Sequence, residues 1–233
     1  MEESFTNKLL DKFYSYRFYL LFITLSINFI LPPLNHYLIL DASLKIFSNT
    51  ILIMSGVNFL EMNKKNLRKI WFALGLIIIV VSIISEQPHD SNLFYKLQYG
   101  LKCLFFIIIT ASILKQISTT NEVTKDIILG SFCGYLLIGI IFYFMFLFLD
   151  LTISNAFSDL TAEPIERKEQ LFYYTFTCLT TLGMGDILPI HMLTRRLSVL
   201  TAIIGQFYIA IVVALLISRY IQFKKESTTK NNT

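Results

Sequence analysis

The feature that most constrains this chain is a short polar segment between two long apolar stretches near the C-terminal end. Residues 177–186 read Thr-Cys-Leu-Thr-Thr-Leu-Gly-Met-Gly-Asp, and the stretches at 127–149 and 197–221 surround them. Irregular backbone at membrane depth is tolerated only where it is buried in protein or lines a water-filled cavity. The sequence therefore predicts a re-entrant loop that enters the membrane from one side and returns to the same side.

Composition places the chain in the membrane. Hydrophobic residues make up 55% and charged residues only 15%, against about 25% charged residues in soluble domains. We expect an all-α polytopic membrane protein without a sizeable soluble domain. The three cysteines fall in apolar or loop segments and match no metal-binding spacing, so we interpret them as buried apolar side chains.

A membrane-spanning helix needs about 20 mostly apolar residues. Six candidate spans meet or approach this length, and they lie at 17–41, 46–60, 70–85, 99–117, 127–149 and 197–221. Pro32 and Pro33 would kink or end the first span, and Lys102 interrupts the fourth. With the N-terminus inside, most Lys and Arg residues fall in inner segments, which predicts six spans with both termini cytoplasmic. The inner tail after 221 is expected to be disordered.

Between the fifth and sixth spans, the sequence predicts an outer loop at 151–168 and a half-helix at 169–179. A helix over 169–179 is roughly 16 Å long, which is about half of a bilayer. Glu169 would suit the N-terminus of this half-helix. The chain would then return through an extended loop that ends near Pro189.

The residues of this loop suit cation coordination. Gly183 and Gly185 permit left-handed torsions that turn alternate carbonyls towards one axis, where stacked oxygens replace the water around an ion. Thr180 and Thr181 precede these glycines, and the Thr181 hydroxyl would add an oxygen at the inner end of the ion path. Leu182 and Met184 would point away from the axis, and Asp186 would mark the outer end. The half-helix would aim its negative C-terminal dipole end at the ion path.

At this point the chain resembles the potassium channel superfamily, in particular bacterial members with six spans and one pore domain per chain. The family signature Thr-Val-Gly-Tyr-Gly-Asp corresponds to Thr-Leu-Gly-Met-Gly-Asp at 181–186. The run Phe172-Tyr173-Tyr174 is similar to the family's pore-helix aromatics. Gly205-Gln206 resembles the inner helix, and Gly205 falls where the family often carries a bending glycine.

The resemblance implies four domains or segments. They are a cytoplasmic N-terminal segment at 1–16, a four-helix transmembrane domain at 17–118, a pore domain at 127–222 and a short cytoplasmic tail at 223–233. The four-helix domain holds the position of a voltage sensor but lacks a charged sensor helix. In the pore domain, the order is outer helix, pore helix, filter and inner helix.

The resemblance also implies a homotetramer in the plasma or inner membrane, with lipid around it and no cofactor other than the permeant ion. Potassium would be held by the backbone carbonyls of Thr181, Leu182, Gly183 and Met184 and by the Thr181 hydroxyl. Met184 and Leu182 replace the family's tyrosine and valine. The alternative that the channel is weakly selective and also conducts sodium is therefore retained. A separate regulatory subunit is a further candidate partner, and no nucleic-acid partner is expected.

The inner-helix residues, the outer acidic residues and the function of the whole chain each allow more than one interpretation. Thr201, Gly205 and Gln206 would serve as a gating hinge or cavity, or Gly205 would serve close packing. The outer acids Asp150, Asp159, Glu163 and Glu166 would attract cations or form a solvated loop. The rival functions are a non-conducting channel-like sensor or assembly subunit, and a transporter subunit. We find no nucleophile–base pair or phosphate-binding loop, so no enzyme is predicted.

Overall fold

The computed structural model describes residues 16–30, 50–53, 55–56, 73, 75–81, 92–119 and 124–230. Regular structure within these residues is helical, and an isolated antiparallel bridge pairs Phe157 with Pro189. The helices with complete bounds are α1 Arg17–Ile30, α2 Asn92–Thr119, α3 Lys125–Thr152, α4 Pro164–Leu179 and α5 Met192–Lys230. Residues 50–53, 55–56 and 75–81, from the second and third predicted spans, are also helical. Pro32 and Pro33 lie outside the described residues.

Three helices in the described part of the chain are long and apolar enough to cross a membrane. They are Leu93–Thr119, Lys125–Thr152 and Met192–Leu215, which correspond to the predicted fourth, fifth and sixth spans. Helix α1 is a shorter apolar helix of 14 residues. Helix α4 has 16 residues, or roughly 24 Å at the helical rise, and is shorter than the hydrocarbon core.

Helix α3 is the centre of the packing, because α1, α2, α4 and α5 all contact it. The ring of Phe18 on α1 lies against Gly130, and the ring of Phe176 on α4 lies against Gly139. Larger side chains at either glycine would collide with these rings. Small residues thus let neighbouring helices approach α3 closely, as is common in membrane proteins.

Helix α2 runs through the predicted interruption at Lys102. The Lys102 side chain is only 7% exposed, and its Nζ lies 5.6 Å from the centroid of the Phe144 ring on α3. A cation over an aromatic face is stabilised by the ring quadrupole. This contact lets a lysine lie in the α2–α3 interface, and α2 begins at Asn92 rather than at 99.

The predicted start of the half-helix and the predicted end of the last span are wrong. Helix α4 begins at Pro164 instead of Glu169, because proline suits the first helical turn and Glu163 precedes it as the N-cap. Helix α5 continues to Lys230, through the tail that we expected to be disordered. No glycine or proline follows Gly205 in α5 to end the helix.

Candidate functional site

The loop at 180–186 leaves the C-terminal end of α4 with an alternating backbone. The φ angle is +59° at Thr181, +55° at Gly183 and +80° at Gly185, whereas Leu182 and Met184 do not have positive φ. Positive φ at every second residue can turn alternate carbonyls towards one side. The glycine torsions were foreseen from the sequence. The positive φ of Thr181 was not, because a side chain at this angle costs roughly 1–2 kcal/mol.

Two backbone hydrogen bonds fix the direction of the loop's peptide groups. The Thr181 N–H donates to the Cys178 carbonyl at 3.0 Å, and the Gly183 N–H donates to the Thr177 carbonyl at 3.1 Å. The chain has no cis peptide among the described residues, so each carbonyl points opposite to the N–H of the same peptide group. The carbonyls of Thr180 and Leu182 therefore point away from α4.

The loop is uncovered in the single chain. Residues 180–186 are all exposed, and the side chains of Leu182 and Met184 are 64% and 63% exposed. An added Cβ on Gly183 or Gly185 would meet nothing within 4 Å. Within the described residues, no part of the chain closes the face to which the carbonyls point.

The aromatic residues at 172–174 have different positions on α4. The Phe172 ring packs against Tyr143 of α3, with centroids 5.4 Å apart. Tyr174 is buried and packs edge-on against Phe146 and Phe157 at 5.2 Å, while its hydroxyl contacts Ser198 on α5. These two aromatic residues anchor α4 to its neighbours.

Tyr173 lies on the exposed side of α4, near the outer end of the loop. Desolvation and a hydrogen bond with the Asp186 carboxylate raise the pKa of the Tyr173 phenol. The phenol therefore stays protonated and can donate to the carboxylate. This contact links α4 to the outer end of the loop.

Helix α5 packs against the inner end of the loop. A Cβ at Gly205 would collide with the Leu179 carbonyl oxygen, which also accepts a hydrogen bond from the Tyr135 hydroxyl at 3.4 Å. The Thr201 side chain is fully buried and donates to Leu197 O of its own helix. Close packing is therefore an observed role of Gly205, while the hinge stays a prediction.

The Gln206 side chain reaches the loop. Its Nε2 donates to the Thr181 hydroxyl oxygen at 2.9 Å. Sequence reasoning placed Gln206 at a cavity or a partner but missed this bond. The available signal was the one amide side chain within the apolar stretch at 197–221, where a polar neighbour is expected.

One family model matches the part of the chain that contains the loop and its neighbouring helices. Residues 130–222 match a family model described as an ion channel. The matched segment covers less than half of the 233-residue chain. The match contains α4 and the loop, begins at 130 within the predicted pore domain, 127–222, and ends at the same residue, 222. It supports placing the chain in the potassium channel superfamily. No curated protein and no solved structure matches the chain.

An ion-channel domain moves ions across a membrane, and the chain is accordingly a non-enzymatic membrane protein. The described part of the channel contains no cluster of three or more His, Cys, Asp or Glu side chains that could hold a metal ion. Backbone carbonyl and hydroxyl oxygens, the kinds of atom that this loop carries, can replace the water around a cation.

At the junction of α3 and α4, the carboxylate of one acidic residue is held in an ion pair. Asp150 accepts two hydrogen bonds from the Arg167 guanidinium, at 2.7 and 2.8 Å, and is only 7% exposed. This bidentate pair joins the end of α3 to the start of α4, and it raises the pKa of Arg167. Of the two alternatives left open for this residue, the ion pair argues against attraction of cations by Asp150.

The returning chain after the loop is fixed to the α3–α4 connection. The Ser158 N–H donates to Leu188 O at 2.9 Å, and the Ile190 N–H donates to Ala156 O at 3.0 Å. The buried Thr194 hydroxyl also donates to Ala156 O at 3.0 Å. His191 accepts from the Leu193 N–H at 3.2 Å, and therefore helps to begin α5. These contacts hold the returning end of the loop, while residues 180–186 themselves stay exposed.

Proposed function

We propose that four copies of the chain form a potassium-conducting cation channel in the plasma or inner membrane. The permeant ion would pass along a shared axis lined by residues 181–186. The observation that carries this proposal is the alternation of positive φ at Thr181, Gly183 and Gly185. In this proposal α4 is the pore helix, and α3 and α5 are the outer and inner helices.

The chemistry of the loop suits a dehydrated monovalent cation. An ion that leaves water needs oxygen atoms in place of its hydration shell. The Leu182 carbonyl, which points away from α4, and the other loop carbonyls would supply them in rings of four. The Thr181 hydroxyl would add the innermost ring, and the negative C-terminal end of α4 would favour cations over anions.

The uncovered loop of the single chain supports the proposed tetramer. One loop supplies a quarter of each oxygen ring, and its carbonyl face is uncovered in the single chain. Helix α5 also exposes large apolar side chains, including Val199, Ile203 and Phe207 at 60%, 46% and 64%. Neighbouring copies and lipid would cover these surfaces. Six spans with both termini cytoplasmic complete the proposed topology.

A weakly selective monovalent cation channel is the second candidate, and Met184 favours it. Met184 is 63% exposed and occupies the position of the family's bracing tyrosine. A thioether is flexible and cannot donate a hydrogen bond, so it would hold the ring diameter less tightly. Stable tetramers that carry no current under any ion gradient would instead favour the non-conducting sensor.

Potassium flux from liposomes tests the proposal. We expect flux from wild-type protein, and loss of flux in the double variant Gly183→Val and Gly185→Val, because both positions need positive φ. Gly100→Ala is the control for glycine substitution, since an added Cβ at Gly100 meets nothing within 4 Å, and it should conduct normally. Flux that persists in the double variant would contradict a path through this loop.

A further inference from the structure

The hydrogen bond between Gln206 and Thr181 joins the inner helix to the inner end of the loop. The Gln206 Nε2 and Thr181 Oγ1 atoms are 2.9 Å apart, a normal distance for a side-chain hydrogen bond. An amide in an apolar, membrane-embedded helix is costly unless it is paired. The Gln206 amide therefore needs a hydrogen-bond partner, and Thr181 lies where it can be that partner.

The Thr181 hydroxyl can make three interactions, and two of them are hydrogen bonds within the chain. It donates to the Thr180 carbonyl at 2.6 Å and accepts from Gln206. A hydroxyl has one donor and two acceptor lone pairs, so one lone pair remains for a cation. The two bonds hold the oxygen in one orientation and thereby fix where that lone pair points.

The backbone of Thr181 is in a strained conformation, which contacts from other parts of the chain must stabilise. Thr181 has a φ of +59°, which is strained for a residue with a side chain. Gln206 can supply the support because its neighbour Gly205 packs directly against the Leu179 carbonyl at the end of α4. The backbone of α5 is thus held next to the point where the loop begins.

We propose that Gln206 is a positioning residue for the innermost ion site. Its amide holds the Thr181 hydroxyl so that the remaining lone pair faces the ion path, and it thereby sets the diameter of the innermost oxygen ring. Ring diameter discriminates potassium from sodium, so Gln206 acts on selectivity without touching the ion. This inference rests on the proposed channel function.

The test removes the amide donor and keeps the side-chain length. Purified Gln206→Met and wild-type protein are compared by reversal potential in planar bilayers and by the thermal-midpoint shift when sodium is replaced by potassium. Loss of one hydrogen bond predicts a fall of about fivefold in the potassium-to-sodium permeability ratio and a smaller thermal shift. Gln116→Met, the same exchange on α2, should match wild type in both measurements.

A second background separates positioning from general destabilisation. Thr181→Val removes the hydroxyl, so adding Gln206→Met to it should change neither measurement further. An equal effect of Gln206→Met in both backgrounds would overturn the inference, as would wild-type values for Gln206→Met alone. If Gln206→Met does not assemble, Gln206→Asn, which shortens the reach of the amide, carries the same expectation.

The wild-type protein separates this inference from the proposed function. Wild-type protein with neither current nor a potassium-dependent thermal shift would overturn the channel proposal, and the inference with it. Potassium-dependent behaviour in wild type that Gln206→Met leaves unchanged would overturn the inference alone.

Discussion

At the scale of single residues, the pair between Arg167 and Asp150 shows how the outer end of the channel domain is held. Arg167 also donates to Thr161 O at 3.1 Å, so one guanidinium joins the end of α3, the connecting loop and the start of α4. Charge-assisted bidentate bonds are stronger than neutral hydrogen bonds. The pair is therefore a structural joint as well as a neutralised charge.

Arg167→Met should destabilise the protein by about 2 kcal/mol, because it leaves the Asp150 carboxylate nearly buried without its partner. The midpoint of thermal unfolding in detergent measures this loss. Adding Asp150→Asn should restore part of the lost stability. Arg196→Met on the exposed side of α5 is the control, and a loss of equal size there would contradict the assignment.

Single residues also show what sequence reasoning could and could not predict. The torsions of Gly183 and Gly185 were predictable because glycine alone adopts positive φ without a steric cost. The same torsion at Thr181 was hidden, since threonine normally avoids it. The bond from Gln206 was hidden for another reason: it depends on how α5 packs against α4, which no local pattern records.

At the scale of elements, the contact between α4 and α5 determines where the loop begins. Gly205 lies against the Leu179 carbonyl, and Tyr208 on the same face of α5 donates to Ser131 O of α3 at 2.6 Å. The helical spacing of Thr201, Gly205 and Tyr208 places these residues on one face of α5. The structure shows that this face packs against the protein.

Gly205→Ala tests the α4–α5 contact. The added methyl group should separate the two helices and cost about 2 kcal/mol, the usual cost of overpacking, measured by thermal unfolding in detergent. Gly100→Ala, at an unobstructed helical position, should be neutral or slightly stabilising. Equal stability of the two variants, with altered gating only in Gly205→Ala, would favour a hinge over close packing.

Helix α2 leads to a prediction about voltage. Within the described residues it carries Lys96, Lys102 and Lys115, and the middle lysine packs over Phe144 of α3. One charge moved through the whole field gains only about 2.3 kcal/mol per 100 mV. We expect conductance to depend weakly on voltage, with the same slope in Lys102→Met. A steep dependence that Lys102→Met abolishes would show that α2 senses voltage.

Element boundaries were predicted less well than the order of the elements. Apolar length identified the helices around the loop because hydrophobic thickness limits them directly. The start of α4 depends on Pro164 at the first helical turn, and the end of α5 depends on the absence of a breaker. Both signals are local and weak beside the apolar pattern, so the predicted bounds at 169 and 221 were too narrow.

At the scale of the whole molecule, the proposed tetramer accounts for both the uncovered loop and the exposed apolar side chains of α5. Native mass spectrometry from detergent should give an assembly of four times the 27.0 kDa chain mass. A stable monomer or dimer as the largest species would mean that the oxygen rings cannot close.

The most direct measurement of the central claim is a planar-bilayer recording of purified protein between opposed potassium and sodium gradients. If the loop oxygens form closed rings that fit dehydrated potassium, the current should reverse near the potassium equilibrium potential. A reversal near zero would contradict potassium selectivity. It would instead favour a weakly selective channel in which Met184 does not hold the diameter of the oxygen rings. The absence of any current from verified tetramers would contradict ion conduction itself.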